Sequence, residues 1–149
     1  MSTTLSISAA CLFDANGRLL LVRKRNTHAF MLPGGKTEPG EDAITALQRE
    51  LEEELNLQLP ADALSHLGQF HSPAANETNT WIDACIFTAR LPHPVSPAAE
   101  LEELRWLTQD EPLPETLAPL LREHVLPVIW ARTLAPVMPK LTNQAIGTP

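Results

Sequence analysis

Residues Gly35 to Leu57 read GKTEPGEDAITALQRELEEELNL and change character part-way along. Leu32-Pro33-Gly34-Gly35 through Pro39-Gly40 is punctuated by glycine and proline and reads as a loop, whereas from Glu41 onward good helix formers run without interruption. On that helix Glu50, Glu53 and Glu54 stand at i, i+3 and i+4, which gathers three carboxylates within about one turn. Like charges at this spacing repel, and Arg49 is the sole cation of the segment after Lys36. A helix that needed only solubility would interleave Lys or Arg with its glutamates. The cluster instead suits a hard divalent cation with oxygen ligands, and Mg²⁺ takes few carboxylates when it also grips substrate phosphates. The opposing reading is a solvated acidic face. Ile44, Leu47, Leu51 and Leu55 recur at spacings of three and four, an apolar stripe that a sheet can bury, with the glutamates expected on the exposed face beside it.

Taken together, Gly35, five residues, Glu41, seven residues, Arg49-Glu50-Leu51-Glu52-Glu53-Glu54 and the apolar Leu57 resemble the Nudix box of the Nudix hydrolases. One position departs: Asn56 stands where that family has Gly, at a helix end that commonly takes a left-handed residue, and Asn is the best substitute there. The resemblance implies an α/β fold, the Nudix-type α/β/α sandwich in which a mixed β-sheet carries a catalytic loop-helix-loop. It implies metal ligation by Glu50, Glu53 and Glu54 with the backbone carbonyl of Gly35, an orienting role for Arg49 and a bracing role for Glu41. Mg²⁺ is the expected cofactor, with Mn²⁺ as an alternative. The implied reaction is hydrolysis of a phosphoanhydride in a nucleoside diphosphate linked to another group X. The rival reading is a non-catalytic Nudix domain that binds a nucleotide as a sensor or partner module.

No serine sits in a G-x-S-x-G turn and the five histidines are scattered, so no nucleophile is evident and water is the expected attacking group. The general base is open. Glu100, six residues before Trp106, is similar to the position that MutT-like members use; Glu102 and Glu103 are rivals, and Glu53 is the candidate inside the box. Arg23-Lys24-Arg25 ends a strand-like run and reads either as a solvated strand end or as a phosphate contact, for which Arg23 and Arg25 are the candidates. Substrate subclass stays open too. Pro73, placed 16 residues beyond Leu57, resembles the ADP-ribose and nucleotide-sugar subgroup, while the FMLPGG lead-in resembles the nucleoside triphosphate group. Base stacking, with no Tyr in the chain, falls to Phe30, Phe70, Phe87 or a Trp, each of which also reads as core.

At 149 residues and 44% hydrophobic content the chain suits one domain, expected over 1–135, with 136–149 a C-terminal tail of Pro, Thr, Gly and Asn. A net charge of −7 without a basic block argues against binding to a DNA duplex. No apolar run is long enough to span a membrane and the N-terminus lacks a signal-peptide pattern, so a cytoplasmic protein is expected, monomeric or homodimeric, whose partner is a small-molecule nucleotide. Cys11 and Cys85 sit in apolar runs and read as buried free thiols. Strands are expected over Leu5–Phe13, Leu19–Val22, Leu64–His71, Trp81–Ala89 and Glu100–Leu107, with the Asp14-Ala15-Asn16-Gly17 turn closing a first hairpin. An amphipathic helix is expected over Pro114–Val125, continuing past a break at Pro127. Strands, one strong helix and a final helix predict a mixed sheet covered on both faces.

Overall fold

A computed structural model describes residues 2–134; the expected tail, 136–149, lies outside the described residues. Strand β1, Thr3–Phe13, pairs in parallel with β5, Thr80–Arg90, along its whole length. β4, Ser65–Pro73, lies antiparallel outside β5. On the other side β2, Leu19–Lys24, meets β1 at Phe13 and Leu19 and pairs with β6, Leu101–Leu107, giving the order β4-β5-β1-β2-β6. One parallel pair among antiparallel ones makes the sheet mixed, as expected.

Both faces of the sheet are covered. Ala9, Cys11, Leu19, Leu21, Ala84 and Ile86 pack on one side against Leu121, Val125 and Leu126. Ala10, Leu12, Leu20 and Val22 pack on the other against Leu47, Leu51 and Leu55 of helix α1, Ala43–Leu55. A central strand buried on both faces needs apolar residues at successive positions, which is why β1 and β2 read as continuous runs and not as clean alternation. The result is an α/β/α sandwich.

Helix α1 begins two residues later than the composition suggests, because Asp42 acts as its cap: Thr45 N–H donates to Asp42 Oδ1 at 2.8 Å. Its end is as expected. Asn56 is left-handed, with φ 52 and ψ 39; its N–H donates to the Glu52 carbonyl at 3.0 Å and Leu57 N–H to the Leu51 carbonyl at 3.2 Å.

Two expectations need correction. Gly34–Lys36 is not loop but a short strand, β3, antiparallel to Ile7–Ala9 of β1. A side chain at Gly34, where φ is +146, would collide with the Ser8 carbonyl and Ala9, so only glycine lets this backbone come close enough to pair. The segment from Pro114 is not helical until Leu120. Phe30 N–H donates to the Thr116 carbonyl (2.7 Å) and Ala118 N–H to the Phe30 carbonyl (2.9 Å), so tertiary backbone bonds hold a turn and a single bridge at Leu117 in place of a helix. A π-helical turn, Leu120–Val125, then leads into α2, Leu126–Leu134. Pro127 causes no break because it falls where bonding switches from the wide turn to the α-helix and the ladder loses a bond in any case. No helix among the described residues is long and apolar enough to cross a membrane. Cys11 is buried and Cys85 half-buried, both free.

Candidate active site

The short β3 strand and the inward side of α1 meet face to face, and the glycines of the loop decide how closely. A Cβ placed on Gly35 would stand 2.6 and 2.7 Å from the two Glu50 carboxylate oxygens. The carboxylate therefore occupies the space that any other residue at 35 would fill. Four residues on, Glu54 reaches the same strand: Gly34 N–H donates to its Oε1 at 3.1 Å.

Glu54 is 1% exposed, contrary to the expected solvated face. Seven residues separate it from buried Leu47, and seven residues are two helical turns to within about 20°, so the two side chains leave the helix in nearly one direction. Burial pushes its carboxyl up to about 8; the Gly34 N–H pulls downward, the Glu50 charge pushes upward, and Lys24 and Glu100 add smaller downward and upward effects. Glu53, by contrast, is exposed and forms no hydrogen bond or ion pair with another described residue. The structure thus brings Glu50 and Glu54 to the Gly34–Gly35 backbone and leaves Glu53 on the solvent side.

Arg49 ties these pieces together. Its Nε and Nη2 donate to the two oxygens of Glu41 (2.8 and 3.0 Å), Nη1 donates to Glu50 Oε2 (3.0 Å) and Nη2 also donates to the Lys36 carbonyl (3.0 Å). Glu41 in turn accepts from Glu38 N–H at 2.9 Å. The guanidinium and that N–H hold the Glu41 carboxyl down to about 2, and the Arg49 proton affinity is raised chiefly by the bond to Glu41. One side chain therefore fixes the loop, the helix start and the orientation of Glu50.

The link between β5 and β6 docks on the end of this helix. Ala98 N–H donates to the Glu54 carbonyl (2.8 Å), Ala99 is left-handed with φ 53, and Arg25 N–H donates to the Glu100 carbonyl (2.8 Å). Glu100 is thereby held near the site, its side chain 57% exposed and 3.7 Å from Lys24 Nζ. Arg23 pairs with Glu103 (3.0 Å) and Arg25 with Glu102 (3.4 Å), so both phosphate candidates are engaged by the rival carboxylates. Lys24, between them, pairs with Glu100 and lines a cavity of about 380 Å³.

That cavity adjoins the glutamates. Gly34, Gly35, Lys36 and Lys24 form one part of it, Leu5, Ile7, Met31, Leu32, Ile82 and Leu120 its aliphatic walls, and Pro73, Asn76 and Glu77 its far rim. No aromatic ring lines it; Phe30 and Phe87 are buried in the two cores. Among the described residues no group of three or more His, Cys, Asp or Glu side chains is gathered closely enough to hold a metal ion unaided. Two carboxylates and the Gly35 carbonyl nonetheless form an all-oxygen donor set of the kind Mg²⁺ uses when water and substrate phosphate complete its shell. Glu54, a buried carboxylate without an ion pair, is the group whose charge a cation would neutralise.

The NUDIX domain family model matches residues 3–127 of the chain. Among solved structures, the ORF135 protein of E. coli is 25% identical, with 90% of this chain and 94% of that one covered at a TM-score of 0.68. A MutT NUDIX hydrolase from Burkholderia pseudomallei is 24% identical, covering 86% and 98% at 0.65. A UDP-X diphosphatase is 20% identical, covering 87% and 63% at 0.69. No protein of curated function matches the chain in sequence.

Proposed function

We propose, from the premise that this chain belongs to the NUDIX family of pyrophosphohydrolases, that it hydrolyses, with Mg²⁺ or Mn²⁺, a phosphoanhydride bond in a nucleoside diphosphate linked to a further group. The observation that carries this reading is the placement of the Glu50 and Glu54 carboxylates on the Gly34–Gly35 backbone, beside a cavity of about 380 Å³. Glu50, Glu54 and the Gly35 carbonyl would hold the metal ion, with Glu53 close enough in sequence to join through water. When bound, such an ion neutralises phosphate oxygens and acidifies water, the two needs of anhydride hydrolysis.

The protein's own groups supply the rest. Lys24 and Lys36 face the phosphates from the cavity wall, and the aliphatic walls take the nucleoside or the group X and exclude water from it. Arg49 keeps Glu50 oriented without touching substrate. Glu100, exposed and fastened near the end of α1 beside Lys24, takes the proton of the attacking water. Solved structures that share this fold include a UDP-X diphosphatase and a MutT NUDIX hydrolase, and the reading covers a phosphate or a sugar as the group X.

Products of a panel containing the common nucleoside triphosphates, ADP-ribose and a UDP-sugar, separated by mass, test the proposal. A nucleoside monophosphate released with Mg²⁺ and not with chelator is expected. Binding of a panel member without turnover would overturn catalysis in favour of a nucleotide sensor.

A further inference from the structure

A second cavity, of about 390 Å³, opens at the other end of the same sheet face and is lined by Phe13, Ser65, Thr88, Arg90, Ile129 and Arg132, with Ala63 and Ala89. Register fixes how these residues meet. Phe13 pairs with Arg90, and Ser65 with Thr88, so three adjacent strands contribute neighbouring positions. Thr88 and Arg90, two apart on β5, project to one face of the sheet. Ile129 and Arg132, three apart on α2, share one face of the helix. Strand and helix thus each bring one arginine to the lining of the same gap. Along β1 the gap lies five residues beyond Ser8, the partner of Gly35, or roughly 16 Å at the rise of a strand.

The two arginines differ from the chain's other arginines, each of which has an ion pair, a backbone carbonyl or an aromatic ring as partner. Arg18, Arg23, Lys24, Arg25 and Arg49 are all in ion pairs. Arg90 and Arg132 are exposed and their side chains form no hydrogen bond or ion pair with another described residue, in a protein whose formal net charge is −7. The acidic residues next in sequence to lining positions, Asp14 beside Phe13 and Asp62 beside Ala63, do not line the cavity; Asp14 pairs with Arg18 and Asp62 with neither arginine. Arg132 also reaches inward far enough for its charge to act on the buried Cys11 thiol, opposing the larger upward push of burial.

We propose that this cavity is a second anion site that takes a phosphate group, free or as a monoester. Two guanidinium forks and the hydroxyls of Ser65 and Thr88 surround the gap with more donors than a carboxylate's two oxygens can use, and a tetrahedral oxyanion engages them better. The half-buried ring of Phe13 offers an apolar surface to whatever carries the phosphate. The site stands independently of the reading of the cleft beside Glu50 and Glu54.

Inorganic phosphate and AMP, titrated separately into the full-length ¹⁵N-labelled protein in chelator at constant ionic strength, test the proposal by NMR. Saturable shifts are expected at the amides of Ser65, Thr88 and Arg90, resolved from any at Gly34 to Lys36. Arg90→Gln and Arg132→Gln are each expected to weaken that binding about 10- to 100-fold, the loss of one charge-assisted bond or fork. Should Arg132→Gln not fold, Arg132→Lys, which keeps the charge and loses the fork, is expected to weaken it several-fold. AMP binding tighter than phosphate assigns the monoester, and equal affinities assign the phosphate group alone. Shifts that stay linear, that acetate reproduces, or that survive both glutamine variants would overturn the site.

Discussion

Replacing Glu54 with Gln is expected to stabilise the metal-free protein at alkaline pH, although the residue is buried on the packed face of α1 near its end. Its carboxyl stands at about 8 in the fold against 4.5 for the free group. Between those values the folded state holds a proton that the unfolded state has lost. Stability from this residue is therefore fully present below about pH 4.5 and disappears as pH rises through about 8. At about 1.4 kcal/mol for each tenfold change in proton affinity, the gap is worth a few kcal/mol, and water reaching the partly open site trims this to about 2–4 kcal/mol. Gln copies the protonated carboxyl in shape and keeps an oxygen for the Gly34 N–H. Urea unfolding in chelator at pH 5, 6.5 and 8.5 should show wild type weakening across the series while the variant stays flatter, overtaking wild type by about 2–4 kcal/mol at the highest pH. Mg²⁺ should recover stability in wild type and not in the variant, because it binds the folded carboxylate. Equal pH slopes in the two proteins, or a variant weaker at every pH, would refute the reasoning.

Asn56→Gly is expected to stabilise by several tenths to about 1 kcal/mol, since φ there is 52 and the side chain makes no hydrogen bond to another described residue; denaturant midpoints measure it, and a loss would mean that the amide group contributes. Arg49→Lys keeps the charge but cannot fork between Glu41, Glu50 and the Lys36 carbonyl, so turnover should fall about 10- to 100-fold with little change in KM. A variant altered in KM alone would place Arg49 on the substrate. Glu100→Gln is expected to slow hydrolysis by about 10²–10⁴-fold while leaving Mg²⁺ affinity, read by calorimetry, unchanged; parental rates would pass the base role to Glu53 or Glu103.

The sheet and the glutamate helix were legible because their signals are local: apolar runs in β1, β2 and β5, the stripe at Leu47, Leu51 and Leu55, and a left-handed Asn56. What failed to show was set by distant partners. Gly34–Lys36 reads as loop because its pairing depends on the β1 backbone and on missing side chains. Thr116–Ala118 reads as helix because nothing nearby in sequence announces that Phe30 will take its backbone bonds. Glu54 is intermediate. Its burial follows from its seven-residue distance to Leu47, but a reading organised by charge groups it with Glu53, which the helix turns toward solvent.

The central claim, that Glu50 and Glu54 beside Gly35 form the metal-dependent hydrolytic centre, is tested most directly by turnover of a panel nucleotide against Mg²⁺ concentration in wild type, Glu50→Gln and Glu54→Gln, all folded by circular dichroism. The expected result is turnover in wild type that vanishes with chelator, and rates at least about 10²-fold lower in both variants at saturating Mg²⁺. Wild-type rates in either folded variant would contradict it.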